Sequence, residues 1–140
     1  MMPWRFRTYI KPSGRNDVQE TIAGYDIHDR TRFERAVAHL AVSPKSQWHE
    51  PQAKKLTNED PLYEIRYKAF NRSERALGYF DDTERVFVIL LICHHKDRVY
   101  TPRDAFKIAH QRLEAIRDQS ATTAPLQIHG EDFPPLEEQP

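Results

Sequence analysis

With 140 residues, 39% hydrophobic and 30% charged, and only four glycines, the chain has an ordinary globular composition and is long enough to bury a core without disulfide staples. A single cysteine, Cys93, excludes a disulfide framework, and no apolar run nears the roughly 20 residues that span a bilayer. The N-terminus MMPWRFRTYI does not read as a signal peptide, so the cytoplasm, with no membrane contact, is the expected setting.

Formal charge is zero, but it is unevenly spread. Residues 120–140 carry Glu131, Asp132, Glu137 and Glu138 and no Lys or Arg, which leaves 21 basic against 17 acidic residues, a net of +4, in 1–119. A mildly basic body fits a nucleic-acid partner and fits plain solubility equally well.

Trp4 to Ile10 alternates apolar and polar residues and predicts a first strand, closed by Pro12-Ser13-Gly14. Asn16 to Tyr25 predicts a short helix with Asn16 as cap, Val18 and Ile22 on its inner face and Gly24 as stop. Asp29 to Val42 predicts a second helix with the stripe Phe33, Ala36, Val37, Leu40 and Ala41, and Thr31-x-x-Glu34 as a capping box. Ser43 to Pro61 reads as a long irregular loop. Its Trp48 is expected to pin the loop to the core rather than to stack on a base. Lys54 and Lys55 read as a solvated turn before a phosphate clamp.

The centre of the chain is Leu62 to Thr101. Leu62 to Lys68 sets Tyr63, Ile65 and Tyr67 on one face and Glu64, Arg66 and Lys68 on the other. Asn71-Arg72-Ser73 marks a turn, Arg75 to Phe80 a second strand, Asp81-Asp82 a break, and Arg85 to Cys93 a third, almost wholly apolar strand. Breaks this short permit only hairpins, so the three form an antiparallel meander. The third strand needs cover on both faces. Cys93 is expected to be a buried small hydrophobe rather than a nucleophile. Thr101-Pro102-Arg103-Asp104 predicts a helix start, with Thr101 as N-cap and Phe106, Ala109, Leu113 and Ile116 facing inward to about Asp118. From 120 the chain turns proline-rich and acidic and reads as a disordered tail. The expectation is one α+β domain over 1–119, with a tail over 120–140. If its helices cover one sheet face, the other is a working surface.

No Gly-rich phosphate loop, CxxC or HExxH is present, and adjacent His94 and His95 point to opposite strand faces, so neither metal nor cofactor is expected. What remains is a cationic set: Arg66 and Lys68 beside Glu64, then Arg75, then His94-His95-Lys96, with Tyr100 before the last helix. Such a set suits ribonuclease-type phosphate chemistry, in which the 2′-hydroxyl attacks and the protein moves protons and stabilises the phosphorane. It equally suits an ordinary solvated face, with Arg66, Lys68 and Arg75 paired to Glu64, Glu74 and Glu84.

Pro61-Leu62-Tyr63-Glu64-Ile65-Arg66, then Arg75-Ala76-Leu77-Gly78-Tyr79-Phe80, then an apolar strand ending in His95-Lys96, and Thr101-Pro102 before a helix, resemble the RelE/ParE toxin superfamily over about residues 50–117. The pattern is most similar to its HigB and phage-derived RelE-like branch. The resemblance implies a RelE-like fold and the toxin of a type II toxin–antitoxin system, partnered by a helix-turn-helix antitoxin and cutting mRNA on the ribosome without a metal. It implies Arg75 as the phosphate ligand, His95 or Tyr100 for proton transfer and Lys96 for charge stabilisation. Arg66, Lys68 and His94 are implied as RNA contacts, and Lys54 and Lys55 join them as weaker candidates. Glu64 stands where RelE itself has lysine, either as a general base or as a partner of Arg66; Glu74 stands where an aromatic is common. The alternatives are a ParE-like gyrase poison without catalysis and a degenerate prophage-derived binding protein.

Overall fold

The structure is a computed structural model that describes residues 3–135. The architecture is α+β: three helices packed on a mostly antiparallel sheet. β1 (Arg5–Ile10) is followed by α1 (Asp17–Ala23) and α2 (Ile27–Ala41). β2 (Ala53–Lys55), β3 (Tyr63–Ala69), β4 (Arg72–Asp81), β5 (Val86–Lys96) and β6 (Val99–Thr101) come next, then α3 (Ala105–Arg117). β7 (Thr122–Pro125), β8 (Gln127–Ile128) and β9 (Glu131–Asp132) close the described chain. Among the described residues the main sheet runs β2-β3-β4-β5-β1-β7, with β6 on the far end of β5. The meander β3-β4-β5 is antiparallel as expected, and β1 lies parallel to β5.

β5 explains the layers. Phe87 and Ile89 face a core made with Phe6, Val18 and Ile22 of α1, and Phe33, Val37 and Leu40 of α2. Val86, Val88, Leu90, Leu91 and Cys93 face a second core made with Ala105, Ala109 and Leu113 of α3. Helices therefore stand on both faces, as expected for the apolar third strand, and the condition for a wholly open working face is not met. A strand apolar on both sides loses its hydrophobic gain on any face left wet.

Both N-terminal helices form near their expected places. Asn16 caps α1, its side chain accepting from Gln19 N at 2.9 Å. α2 begins earlier than its stripe suggests. Asp26 is the cap, accepting from Asp29 N at 2.8 Å, and Thr31 sits inside the helix with its hydroxyl on Ile27 O. A Thr so engaged cannot cap, so the Thr31/Glu34 box is corrected to Asp26. The loop after α2 is pinned as predicted: Trp48 is buried and its Nε1 donates to Leu40 O at the helix end and to Ser43 O just beyond it.

Four other boundaries moved, each because tertiary pairing outweighs local signal. The loop over 43–61 contains β2, held on β3 in the register Lys54↔Glu64, so Lys54 and Lys55 lie on an edge strand rather than in a turn. The β3–β4 turn is Phe70-Asn71, both left-handed at φ 56° and 57°, and Asp29 of α2 holds it by accepting from Phe70 N at 3.1 Å. Asp97 and Arg98, at φ 51° and 66°, turn β5 back into β6, which takes Thr101 into the sheet and moves the start of α3 to Ala105, with Asp104 as N-cap.

The fourth is the C-terminal segment, expected as a structureless tail from 120. Thr122–Pro125 pairs with β1, and Leu126 and Ile128 are buried. β1 would otherwise expose an unpaired edge beside the first core, and the apolar residues spaced through this segment cover it. Glu137 and Glu138 lie outside the described residues.

Gly78 marks a bulge between β4 and β5, where Leu77 pairs with Leu91 and Gly78 with Ile89. A Cβ at Gly78 would sit 2.2 Å from Val88 O and 2.6 Å from the Phe87 ring. The bulged residue, Leu90, gives its carbonyl to Arg112 Nη1 at 2.9 Å, and Arg112 also holds Asp17 at the start of α1 by two hydrogen bonds. Burial works against ionisation of Asp17, but the hydrogen bond and charge of Arg112, aided by Lys11, keep its carboxyl below the usual value.

Two outcomes follow. Gly78→Ala costs about 1–3 kcal/mol, read as a fall in the urea midpoint, because the clash is with backbone. The depressed Asp17 carboxyl means its ion pair supports folding above pH 3.8 and is lost as pH falls through the lower folded value; in Arg112→Ala this part of the acid-side loss disappears from urea titrations run between pH 5 and 2.

Candidate functional site

Strand alternation sorts the predicted residues. Glu64, Arg66 and Lys68 of β3 share a face, and the registers Arg66↔Arg75, Lys68↔Ser73, Ser73↔His95 and His95↔Tyr100 carry that face across β4, β5 and β6. Lys54 joins it through its pairing with Glu64. Glu74, His94 and Lys96 lie on the opposite face, because Glu74 pairs with both Tyr67 and His94. His94 and Lys96 are therefore corrected: they do not reach the Arg75 cluster, since neighbours of His95 on a pleated strand must point away from it. Lys55, opposite Tyr63, is also off the face and lies 3.4 Å from Asp60.

The cluster is built on Glu64, which is fully buried. Its Oε2 accepts from Arg66 Nε at 2.7 Å and lies 2.9 Å from Arg75 Nε, whose N–H is not directed at it. Its Oε1 accepts a very short hydrogen bond from the Tyr100 hydroxyl. Arg75 also donates from Nη1 to Glu74 O at 3.1 Å, and its Nη2 lies 3.4 Å from His95 Nδ1. The His95 and Tyr100 rings pack in a tilted contact with centroids 4.7 Å apart, and Tyr100 leans on Phe106 of α3 at the same separation. Lys68 is exposed on this face, and Lys54 reaches it through Glu50, which is 3.8 Å from Lys54 Nζ and 3.7 Å from Arg66 Nη1.

Here the ion-paired reading of the sequence is partly correct: Arg66 and Arg75 do meet Glu64. The arrangement is less cationic than a bare list of Arg and Lys suggests. Both side chains nonetheless keep some exposure, 24% for Arg66 and 12% for Arg75.

Protonation divides the candidates. Burial raises the Tyr100 hydroxyl far above its usual value, reinforced by the hydrogen bond to Glu64 and its charge, so at neutral pH it is a donor and not a phenolate. Burial and then the Arg75 charge lower His95, which leaves a neutral, partly exposed imidazole able to take a proton. Burial pushes the Cys93 thiol up to about 12, with Glu64 and Glu74 adding to the effect, which makes it inert as the sequence suggests.

On the other face, Glu74 is also fully buried, with His94 Nδ1 on its Oε2 by a very short contact and Arg72 Nε 3.6 Å from Oε1. Burial raises its carboxyl, opposed by His94. Sequence reading missed Glu50 and Phe106 as neighbours of the site. Nothing local marks Glu50, and Phe106 reads only as part of the α3 stripe.

Cys93 should resist iodoacetamide at pH 8 in the folded protein and react once urea unfolds it, as followed by mass spectrometry.

No curated protein and no solved structure matches the chain. The family described as phage derived protein Gp49-like (DUF891) matches residues 20–114, a span that contains Glu64, Arg66, Arg75, His95 and Tyr100. No described helix is long and apolar enough to cross a membrane. With more than half of its length matched, from within α1 to near the end of α3, the chain belongs to the phage-derived Gp49-like family.

Proposed function

We propose that the protein is the toxin of a toxin–antitoxin system, of the HigB-like kind, and a metal-independent endoribonuclease on mRNA bound to the ribosome. Its implied antitoxin carries a helix-turn-helix. The observation that supports this most is the gathering of Arg66, Arg75, His95 and Tyr100 on one sheet face, within a family of phage-derived proteins.

The chemistry follows from that face. The neutral His95 imidazole takes the proton of an RNA 2′-hydroxyl, and the 2′-oxygen bonds to phosphorus. Arg75 and Arg66 stabilise the charge that builds on the phosphorane oxygens. The bond to the 5′-oxygen breaks, and imidazolium returns the proton to it, leaving a 2′,3′-cyclic phosphate and a 5′-hydroxyl. Tyr100 holds the site through Glu64 rather than taking the proton, because its hydroxyl is already committed there. With Glu64 offsetting one of two arginine charges, affinity for free RNA is weak, and a substrate positioned by the ribosome relaxes that demand.

The same ion pairing favours a second reading, a non-catalytic protein such as a ParE-like gyrase poison or a degenerate prophage-derived binding module. Induced expression separates them. The chain should arrest growth and fragment mRNA, whereas Arg75→Ala should relieve both, with cleavage reduced about 100-fold or more. Arrest with intact mRNA and altered plasmid supercoiling would establish the gyrase reading instead.

A further inference from the structure

Glu64 differs from its neighbours in having no solvent exposure while side chains from three strands close on it. A guanidinium presents donors along two edges, the Nε side and the terminal nitrogens. Arg66 donates its Nε–H to Glu64 Oε2 at 2.7 Å, and Arg75 Nε lies 2.9 Å from the same oxygen as an ion pair without directing its N–H at it. Their terminal nitrogens lie elsewhere: Arg66 Nη1 towards the exposed Glu50 at 3.7 Å, Arg75 Nη1 on the Glu74 carbonyl at 3.1 Å and Arg75 Nη2 towards His95 at 3.4 Å. Glu64 Oε1 takes the Tyr100 hydroxyl, which in turn sets the ring that packs, tilted, against His95. A carboxylate with both oxygens occupied and no path to water is badly placed to accept a substrate proton. It is well placed to cancel the repulsion between two largely buried arginine side chains and to fix their direction.

We propose that Glu64 is the positioning residue of this site, anchoring Arg66 and Arg75 by their inner edges and Tyr100 by its hydroxyl, so that the outer guanidinium nitrogens and the His95 ring face an RNA phosphodiester together. Its substrate rests on the ribonuclease reading above, but its geometry does not. The charged groups facing His95 are Arg75 from β4 and Arg66 and Glu64 from β3, with the Tyr100 ring from β6. The arginine charges push the imidazole towards neutrality and Glu64 opposes them.

Glu64→Gln keeps acceptor and size while removing the charge; Glu64→Asp keeps the charge and shortens the reach. The readouts are the His95 titration by NMR, circular dichroism for folding, and kcat and KM on a short fluorescein-labelled mRNA bound to ribosomes. In Glu64→Gln the His95 midpoint should move to lower pH, carrying the acid limb of the rate profile with it, and kcat should fall roughly 100-fold with KM little changed. In Glu64→Asp the His95 midpoint should stay at the wild-type pH while kcat still falls. If Glu64→Gln does not fold, Glu64→Asp decides: an unchanged midpoint with reduced kcat supports positioning, and unchanged kcat overturns it. An unmoved His95 midpoint in folded Glu64→Gln overturns the proposal. So does loss of the acid limb altogether, which would make Glu64 the base. If the wild type cuts no RNA, the ribonuclease reading fails by itself, and the His95 midpoints of the two variants still decide the role of Glu64.

Discussion

The constraint that organises this molecule is a single strand, β5, whose Val86 to Leu91 stretch is apolar on both faces. Such a strand is stable only between two covers, and the chain supplies them from its two ends. α1 and α2, with the C-terminal residues Leu126 and Ile128, close one side, and α3 closes the other. Even the placement of β1 follows, since a parallel neighbour on the open edge of β5 completes its ladder and brings Phe6 over the same core. The β7 pairing then protects β1 in turn.

The site lies where this apolarity stops. From Cys93 onward β5 becomes Cys-His-His-Lys, and the covers thin enough for polar side chains to reach water. Pleating then distributes the residues without regard to their chemistry. His95 goes to the face of Arg66 and Arg75, and His94 and Lys96 to the face of Glu74. Each face carries a fully buried glutamate near this end of the sheet, Glu64 on one side and Glu74 on the other. Each is surrounded by cationic or hydrogen-bonding partners, as a buried carboxylate must be. The two differ in what they organise. Glu64 holds two arginines and a tyrosine beside an accessible imidazole, while Glu74 is closed off between His94, Arg72 and the paired hydroxyls of Tyr25 and Tyr67 nearby.

The two readings of the cationic set therefore describe one arrangement. A salt-bridged arginine is not withdrawn from function, because a guanidinium carries five N–H donors and the contacts of Arg66 and Arg75 do not use them all. Pairing with Glu64 lowers the net charge of the face, which weakens long-range attraction to RNA but sharpens the direction in which each guanidinium points. A site of this kind suits a substrate delivered by another surface, such as an mRNA held in a ribosome, better than capture from bulk solution.

Several features of the fold were legible in the residues themselves. The period-two pattern of Tyr63 to Lys68 correctly separates Glu64, Arg66 and Lys68 from Ile65 and Tyr67, and the caps at Asn16 and the anchor at Trp48 are local chemistry that survives folding. Arg75, His95 and Tyr100 were singled out through the resemblance of their motifs to a toxin superfamily, since the residues alone fitted an ordinary solvated face as well. What no local pattern contains is cross-strand register. β2, β6 and β7 are only three or four residues long each, too short for periodicity to speak, and they exist because β3, β5 and β1 each offer an unpaired edge. The same is true of Glu64: the sequence shows a glutamate among basic residues, whereas its burial, its two arginines from adjacent strands and the tyrosine brought in by the Asp97-Arg98 turn are consequences of pairing between residues up to 36 positions apart. Local pattern thus determined which residues belong to strands, helices and faces, and tertiary pairing decided which of them meet, because a hydrogen-bond ladder couples positions that the chain itself keeps far apart.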